Sequence, residues 1–185
     1  MTRFSYPHTI DNGHGERLTF LRRVCDANGD RLEVENVVAP GMGPVMHVHH
    51  YQTEALTVVR GRIGYERPGE APQFAGPGET VTFLAGDAHR FWNAGDDDLH
   101  CKGYITPADN IEYFLSEIFA AQRASGSVRP ALLDAAYLAR HYRSEFKMLQ
   151  IPDVVQRYVF PLFIAIGTML GRYAKYADAP APVRR

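Results

Sequence analysis

The chain has 185 residues, of which 45% are apolar and 22% are charged, as in a globular protein of one domain with an extension or of two very small domains. Its formal net charge of −1 gives no reason to expect broad electrostatic attraction to nucleic acid or to an anionic membrane. The two cysteines, Cys25 and Cys101, are too few for a disulfide framework, and their spacing does not resemble a zinc knuckle.

The amino-terminal arm, residues 1–16, lacks the apolar core of a signal peptide, and we therefore expect a cytoplasmic protein. Residues 17–107 then alternate between short runs rich in β-formers and turns marked by glycine, proline or aspartate. The runs lie at residues 17–25, 31–38, 45–51, 54–60, 62–67, 80–84, 89–93 and 99–106. Asn28-Gly29 favours a tight hairpin between the first two runs, because both residues tolerate positive φ. Many short strands at this spacing predict a mainly β domain, either a barrel or a sandwich.

Helices are predicted for the following part of the chain, residues 108–178, where apolar residues recur at helical spacing. Asp109 or Asn110 is placed to cap a first helix, and Gly126 lies in the segment that ends it. A second helix is predicted over residues 131–142.

A third helix is predicted over residues 154–173, capped by Asp153 and kinked at Pro161, because proline lacks an amide hydrogen and clashes with the preceding turn. Within it, residues 158–171 are apolar and uncharged, but these 14 residues are fewer than the roughly 20 that span a bilayer. We expect this helix to pack against the β-domain or a second subunit. The alternative is an interfacial helix that contacts a membrane or covers a ligand site. The tail, residues 179–185, is expected to be disordered.

The most informative pattern in the chain consists of His47, His49, Glu54 and His89. His47 and His49 are two residues apart on one predicted strand, so both imidazoles point to the same face. Glu54 begins the next strand, and its carboxylate reaches the same point if the two strands are antiparallel neighbours. A fourth ligand must come from elsewhere in the chain, and His89 is the natural candidate.

Three neutral imidazoles and one carboxylate make a mixed nitrogen and oxygen metal site. Such a site suits Mn, Fe, Co, Ni, Cu or Zn rather than calcium, and the sequence leaves the choice among them open. Four protein ligands on an ion that accepts five or six leave positions at which water, dioxygen or a chelating substrate can bind.

Glycines around these ligands complete two motifs that resemble the paired motifs of the cupin superfamily. The residues of the first motif are Gly41, His47, His49, Glu54 and Gly61, and those of the second are Gly78, Gly86, His89 and Asn93. Leu84 stands where the second motif has proline. The resemblance covers about residues 20–106. It implies a cupin-type β-barrel or jelly roll (a double-stranded β-helix) of about six to eight strands with the metal inside, and a homodimer.

Alternation along the strands places further side chains around the ion. The expected pocket residues are Tyr51, Leu56, Val58, Phe91 and Asn93, the last of which is expected to shape a turn or to form hydrogen bonds near the site. His50 faces the opposite way and is not expected to be a ligand. No Arg or Lys obviously points in, so an apolar, aromatic-walled pocket suits a small organic molecule better than a sugar phosphate.

For a site of three histidines and one glutamate, the cupin resemblance implies dioxygenase chemistry on an aromatic or enol-type molecule. Glu54 is the catalytic candidate, since it is placed either to leave the ion or to take the substrate proton. A redox-neutral isomerase, cyclase or decarboxylase with the metal as Lewis acid is an alternative. A non-catalytic binding or sensing module and a purely structural metal are two others, so the sequence does not decide whether the chain is an enzyme.

Overall fold

The computed structural model describes residues 4–27 and 29–185, which contain eleven strands and three α-helices. The strands are β1 (His8–Asp11), β2 (Glu16–Asp26), β3 (Gly29–Val38), β4 (His47–His49), β5 (Thr53–Arg60), β6 (Ile63–Glu66), β7 (Gln73–Ala75), β8 (Thr80–Phe83), β9 (Ala88–Asn93), β10 (Leu99–Thr106) and β11 (Phe146–Met148). The helices are α1 (Ile111–Ser125), α2 (Leu132–His141) and α3 (Phe160–Met169), with a π-helical turn at Val155–Val159 and a 3₁₀ turn at Arg172–Tyr176. The predicted order, a mainly β domain followed by helices, is confirmed.

The strands form two antiparallel sheets. One has the order β1-β2-β3-β10-β5-β8 and the other the order β11-β4-β9-β6-β7. From β3 to β10 the chain crosses repeatedly from one sheet to the other, which is the winding of a jelly roll. Apolar side chains from both sheets fill the space between them, with Leu56 and Phe83 from one sheet and Ile63 and Phe91 from the other.

A second apolar cluster joins the helices to the β-domain. Phe20 and Leu32 from the six-stranded sheet pack with Phe114 of α1, Leu138 of α2 and Phe146 of β11. The apolar side of the first helix is therefore partly buried against strands. Because one core includes both parts of the chain, α1 is positioned as a wall beside the barrel.

Three of the strands are absent from the sequence-based prediction. These are β1, which lies within the expected amino-terminal arm, β7, and β11, which lies within the expected helical part. Strand β1 pairs with β2, and β11 pairs with β4 so that Phe146 lies opposite His49. Each has only three or four residues, too few for alternation to give a signal.

The hairpin between β2 and β3 is present, but its turn is shifted by one residue. Asp26 pairs with Gly29, so Gly29 begins β3 and does not lie at the centre of the turn. The prediction put Asn28 and Gly29 at the centre of this turn, and Asn28 itself lies outside the described residues.

The carboxyl-terminal end of α1 agrees with the sequence-based prediction, but the predicted amino-terminal caps do not. Gly126 ends α1 with a φ of 66°, a left-handed conformation that glycine adopts without strain. The predicted caps are wrong, because neither α1 nor the third helical segment has a side-chain cap hydrogen bond. The Asn110 amide instead donates to Glu145 at 2.8 Å, while Asp109 and Asp153 pair with basic side chains.

The third predicted helix is present as the π-helical turn Val155–Val159 followed directly by α3. Pro161 lies in the first turn of α3, immediately after this change of helix type, where a missing amide hydrogen is tolerated. One face of α3 packs against α2. Within the part of the chain that the structure describes, no helix is long and apolar enough to cross a membrane.

The carboxyl-terminal segment, for which the sequence predicts disorder, contacts the rest of the chain. The Val183 N–H donates to the buried Glu145 carboxylate at 2.9 Å, and the Tyr142 hydroxyl donates to the Pro180 carbonyl at 3.2 Å. The Arg185 guanidinium lies 2.8 Å from a carboxylate oxygen of Asp109.

Candidate metal centre

Three strands from two sheets bring the four predicted ligands together. His47 and His49 lie on β4, and His89 lies opposite His47 on the neighbouring strand β9. Glu54 lies on β5 in the other sheet. All four side chains are buried, and one donor atom from each lies within 4.8 Å of the others. The strand alternation in the sequence thus correctly anticipated a shared point.

The separations of the donor atoms fit a single ion. Nε2 of His47 lies 2.9 Å from Nε2 of His49. Oε2 of Glu54 lies 3.4 Å from Nε2 of His89 and 3.9 Å from Nε2 of His49. With metal–ligand bonds of about 2.0–2.2 Å, neighbouring donor atoms around one ion are about 3 Å apart and opposite ones about 4 Å apart.

Backbone carbonyls fix the orientation of two of the imidazoles. Nδ1 of His47 donates to the Val45 carbonyl at 2.7 Å, and Nδ1 of His89 donates to the Asp87 carbonyl at 3.0 Å. The proton therefore lies on Nδ1, and the Nε2 lone pair points into the site, as in imidazoles that bind metals. Nδ1 of His49 is buried and has no hydrogen-bond partner among the described residues.

The protonation states are those that a cation requires. Burial, aided by His89, lowers the pKa of His47 to about 4, and burial together with His47 lowers the pKa of His49 to about 3. Burial alone would raise the pKa of Glu54, but the close approach of His89, whose Nε2 lies 3.4 Å away, and the surrounding imidazoles outweigh it and lower this pKa to about 2. At neutral pH the site therefore offers imidazole lone pairs and a carboxylate anion, with no proton to displace from these three ligands.

Aromatic rings pack against two of the imidazoles, those of His89 and His49. The Phe83 ring stacks on His89 with centroids 3.9 Å apart and planes 5° apart. The Phe146 ring, carried by the unpredicted strand β11, meets His49 edge-on at 5.5 Å. These contacts restrict the rotation of both imidazoles and keep water from their outer sides.

The site opens into a cavity and an adjoining cleft. The cavity, about 80 Å³, is lined by the ligands His47, His49 and Glu54 and by mainly apolar side chains of the barrel. The cleft, about 380 Å³, also reaches His47 and His49 and is bounded by apolar residues of α1. The α1 residues that line it are Ile111, Phe114, Leu115, Ile118, Phe119 and Gln122. The cleft volume is within the range of small-molecule sites, about 300–1,000 Å³.

Of the five expected pocket residues, two line the cavity and three lie elsewhere. Leu56 and Phe91 line the cavity. Val58 packs in the core between the sheets, and Asn93 shapes a turn by donating to the Val38 and Asp97 carbonyls. Tyr51 lies near the surface, where its hydroxyl bonds to the backbone of Arg185. The alternation of side chains along β4 does not determine the direction of Tyr51, because β4 ends at His49.

Sequence reasoning missed two polar groups that face the same cavity. Glu16 is buried there, and its carboxylate accepts a hydrogen bond from the Asn12 amide at 3.1 Å. Burial, with the nearby charge of Glu54, raises the pKa of Glu16 to about 7. Oδ1 of Asn36 is buried and has no hydrogen-bond partner within the described chain. The signal for Glu16 was its alternation with Leu18 and Phe20, but the expected barrel began one residue later.

The comparison with protein families agrees with this architecture. Residues 34–104, from β3 to β10, match a family model described as cupin domain, and the match includes all four converging side chains. Residues 34–104 form a cupin domain. The helical part of the chain, after β10, lies outside the match. No curated protein matches this cupin significantly.

Several solved structures are similar to the cupin in fold. A protein with a double-stranded β-helix domain from Klebsiella pneumoniae is 19% identical over 57% of this chain and 78% of that chain, with a TM-score of 0.44. A cupin-like protein from Thermotoga maritima is 20% identical over 58% of this chain and 83% of that chain, with a TM-score of 0.44. The capsular polysaccharide assembling protein CapF from Staphylococcus aureus is 23% identical over 58% of this chain but only 30% of that chain, with a TM-score of 0.46.

Proposed function

We propose that this cupin is a metal-dependent enzyme whose single divalent transition-metal ion is held by His47, His49, Glu54 and His89. The observation that carries the proposal is the convergence of four buried side chains, two of which line an open cleft. A purely structural ion is normally enclosed by its protein ligands. Here the cleft reaches two of the ligands, so a small molecule has access to the ion.

When bound, such an ion supplies Lewis acidity and, if it is Fe, Mn, Ni or Cu, redox chemistry toward dioxygen. The protein's own residues bind and orient the substrate. Glu54, an anion with three imidazole neighbours, is close enough to the open side to accept a proton from a substrate hydroxyl. Leu56, Phe91 and Phe119 exclude water from the cavity and so strengthen the electrostatic interactions within it.

The walls of the cavity indicate the substrate class. Leu18, Val34 and Ile105 add further apolar surface, and the residues that line this cavity include no Arg or Lys. A sugar phosphate beside the ion would therefore lack a partner for its charge, because the one Arg among the described lining residues, Arg129, lies in the adjoining cleft. An aromatic or enol-type molecule that presents one ionisable oxygen to the metal fits better, and dioxygenase-like oxidation is the reaction we propose.

Glu16 favours a second candidate, a redox-neutral isomerase or cyclase. It is a second buried carboxyl in the cavity, and its pKa of about 7 lets it hold or release a proton at neutral pH. With pKa values of about 2 and about 7, Glu54 stays ionised at neutral pH while Glu16 is suited to exchange a proton with the substrate. In this candidate reaction no dioxygen is consumed.

The test is turnover by metal-loaded protein over a panel of phenolic and enolic compounds, with and without dioxygen. Oxygen uptake that follows substrate loss supports the dioxygenase, whereas turnover under argon that Glu16→Gln abolishes supports the redox-neutral enzyme. The matched control is His50→Gln, next to a ligand but exposed, which should leave turnover unchanged. Metal-dependent binding of these compounds without any turnover would instead indicate a sensing module.

Two features expected from the sequence belong with this proposal. The cupin resemblance predicts a homodimer, and the amino-terminal residues predict a cytoplasmic location. Light scattering of the purified protein tests the first, and fractionation of the source cells tests the second.

A further inference from the structure

The outer side of the third helical segment is an apolar surface. It consists of Val154, Tyr158, Leu162, Ile166, Met169 and Leu170, which we call the α3 face. Their exposed fractions are 61%, 62%, 64%, 48%, 87% and 70% respectively. The first four are spaced by four residues and therefore form one continuous stripe along the helix.

The opposite side of the segment packs against the rest of the chain. Phe160 and Gly167 are buried, and the Tyr173 hydroxyl lies 3.1 Å from the Leu133 carbonyl of α2 and 3.3 Å from the Phe163 carbonyl, between which it shares its proton. Packing within the chain therefore fixes the orientation of α3 and leaves the α3 face outward. A continuous apolar stripe of this size is normally covered by a partner.

Basic residues concentrate in the same part of the chain. Residues 139–185 contain eight Lys or Arg and three Asp or Glu. Asp134 pairs with Arg172 and Lys175, and Asp109 pairs with Arg185, which leaves a net charge of +3 in a chain whose net charge is −1. Arg140, Arg143 and Arg157 line one groove of about 330 Å³ beside the α3 face, together with one carboxylate, Asp153, which pairs with Lys147. Partial burial, together with the charges of Arg140 and Arg184, lowers the pKa of Arg143. An anion in this groove would relieve the repulsion among these guanidinium groups.

Charge decides between the two occupants that could cover an apolar helix face. A second copy packed on the α3 face would bring two regions of charge +3 together, which costs electrostatic energy. An anionic bilayer offers hydrocarbon to the stripe and phosphate groups to the arginines, as for helices that lie in the membrane interface. We propose that the α3 face docks this cupin on an anionic lipid surface, with Arg140, Arg143 and Arg157 on the headgroups.

The test is cosedimentation of the full-length protein with vesicles of phosphatidylcholine, with and without phosphatidylglycerol. The protein should bind only the anionic vesicles, and added salt should weaken binding. The double substitution of Leu162→Gln and Ile166→Gln should lower the partition coefficient about tenfold or more, because each side chain contributes apolar area. Arg157→Gln should lower it by a smaller factor.

Matched controls come from the barrel surface. Leu84 is 60% exposed and Val59 is 52% exposed, so the double substitution Leu84→Gln and Val59→Gln removes similar apolar surface away from α3 and should leave vesicle binding unchanged. Thermal unfolding and metal content of each variant show that fold and site are intact. Binding that does not need phosphatidylglycerol, or that survives the α3 substitutions, overturns the proposal. So does a stable dimer that the α3 substitutions dissociate.

Discussion

Acidifying the metal-free protein tests the environment of the two histidines on β4. In the folded chain His47 and His49 have pKa values of about 4 and about 3, against an ordinary value of 6.5 in the unfolded chain. Between about pH 7.5 and about pH 5.5 the unfolded state gains these two protons and the folded state does not, so acid favours unfolding. Each histidine then lowers the free energy of unfolding by about 1.4 kcal/mol, and the two together lower it by about 3 kcal/mol.

Glu16 acts in the opposite direction over the same interval. Its pKa is about 7 in the folded chain and 4.5 ordinarily, so the folded state takes up this proton first as the pH falls. Acidification to about pH 5.5 therefore stabilises the fold by about 2 kcal/mol through Glu16 and offsets most of the histidine effect. In the wild-type protein these three groups together should change the free energy of unfolding only slightly. Variants that remove Glu16 or the two histidines should reveal the separate contributions.

The assay is urea unfolding with a chelator present, at both pH values. On acidification, the free energy of unfolding of Glu16→Gln should fall by about 2 kcal/mol more than that of the wild type. That of the double variant His47→Gln with His49→Gln should fall by about 3 kcal/mol less than that of the wild type. His100→Gln, outside the site, controls for removing an imidazole. If the double variant and the wild type respond equally to acid, the two histidines are not buried as neutral groups and the reasoning fails.

Three further predictions concern packing and the tail. Gly103→Ala should destabilise the fold by about 1–3 kcal/mol in urea unfolding, because a Cβ there would lie 2.0 Å from a backbone oxygen of β5. Gly76→Ala, where the nearest atom is a side-chain oxygen at 3.7 Å, is the control. Phe83→Ala should cost about 3–5 kcal/mol and weaken metal binding in calorimetry, because its ring stacks on a ligand imidazole. Deleting residues 180–185 should lower the melting temperature and cost about 1–3 kcal/mol, because Glu145 loses a buried hydrogen bond.

Different outcomes would contradict these expectations. Equal stability of the Gly103 and Gly76 variants would mean that β10 and β5 can separate without cost. Unchanged metal affinity in Phe83→Ala would remove the orienting role of that ring. An unchanged melting temperature after the deletion would support the disordered tail that the sequence predicts.

The barrel and the convergence of the four candidate ligands could be predicted because both depend on local sequence patterns. Alternation on β4 fixes the direction of His47 and His49, and the glycine spacing of the two motifs fixes where the turns fall. Eight predicted runs correspond to strands in the structure, with ends that differ by up to two residues. The ligand set therefore needed only the assumption that β4, β5 and β9 meet.

The cleft could not be predicted because it depends on packing between distant parts of the chain. Glu16 faces the ligands across the barrel, and Phe146 reaches His49 through a strand of three residues. Alternation continued past the end of β4 gave a wrong position for Tyr51. The predicted caps failed because Asn110 forms tertiary contacts with Glu145, which no local pattern reveals.

The central claim is that four side chains from both sheets bind one ion. Calorimetric titration of the chelator-treated protein with Mn, Fe, Co, Ni, Cu or Zn tests it most directly. We expect one ion per chain for at least one metal, with binding lost in His49→Gln and His89→Gln and retained in His50→Gln. Binding that persists without His89, or no binding of any of the six metals, would contradict the claim.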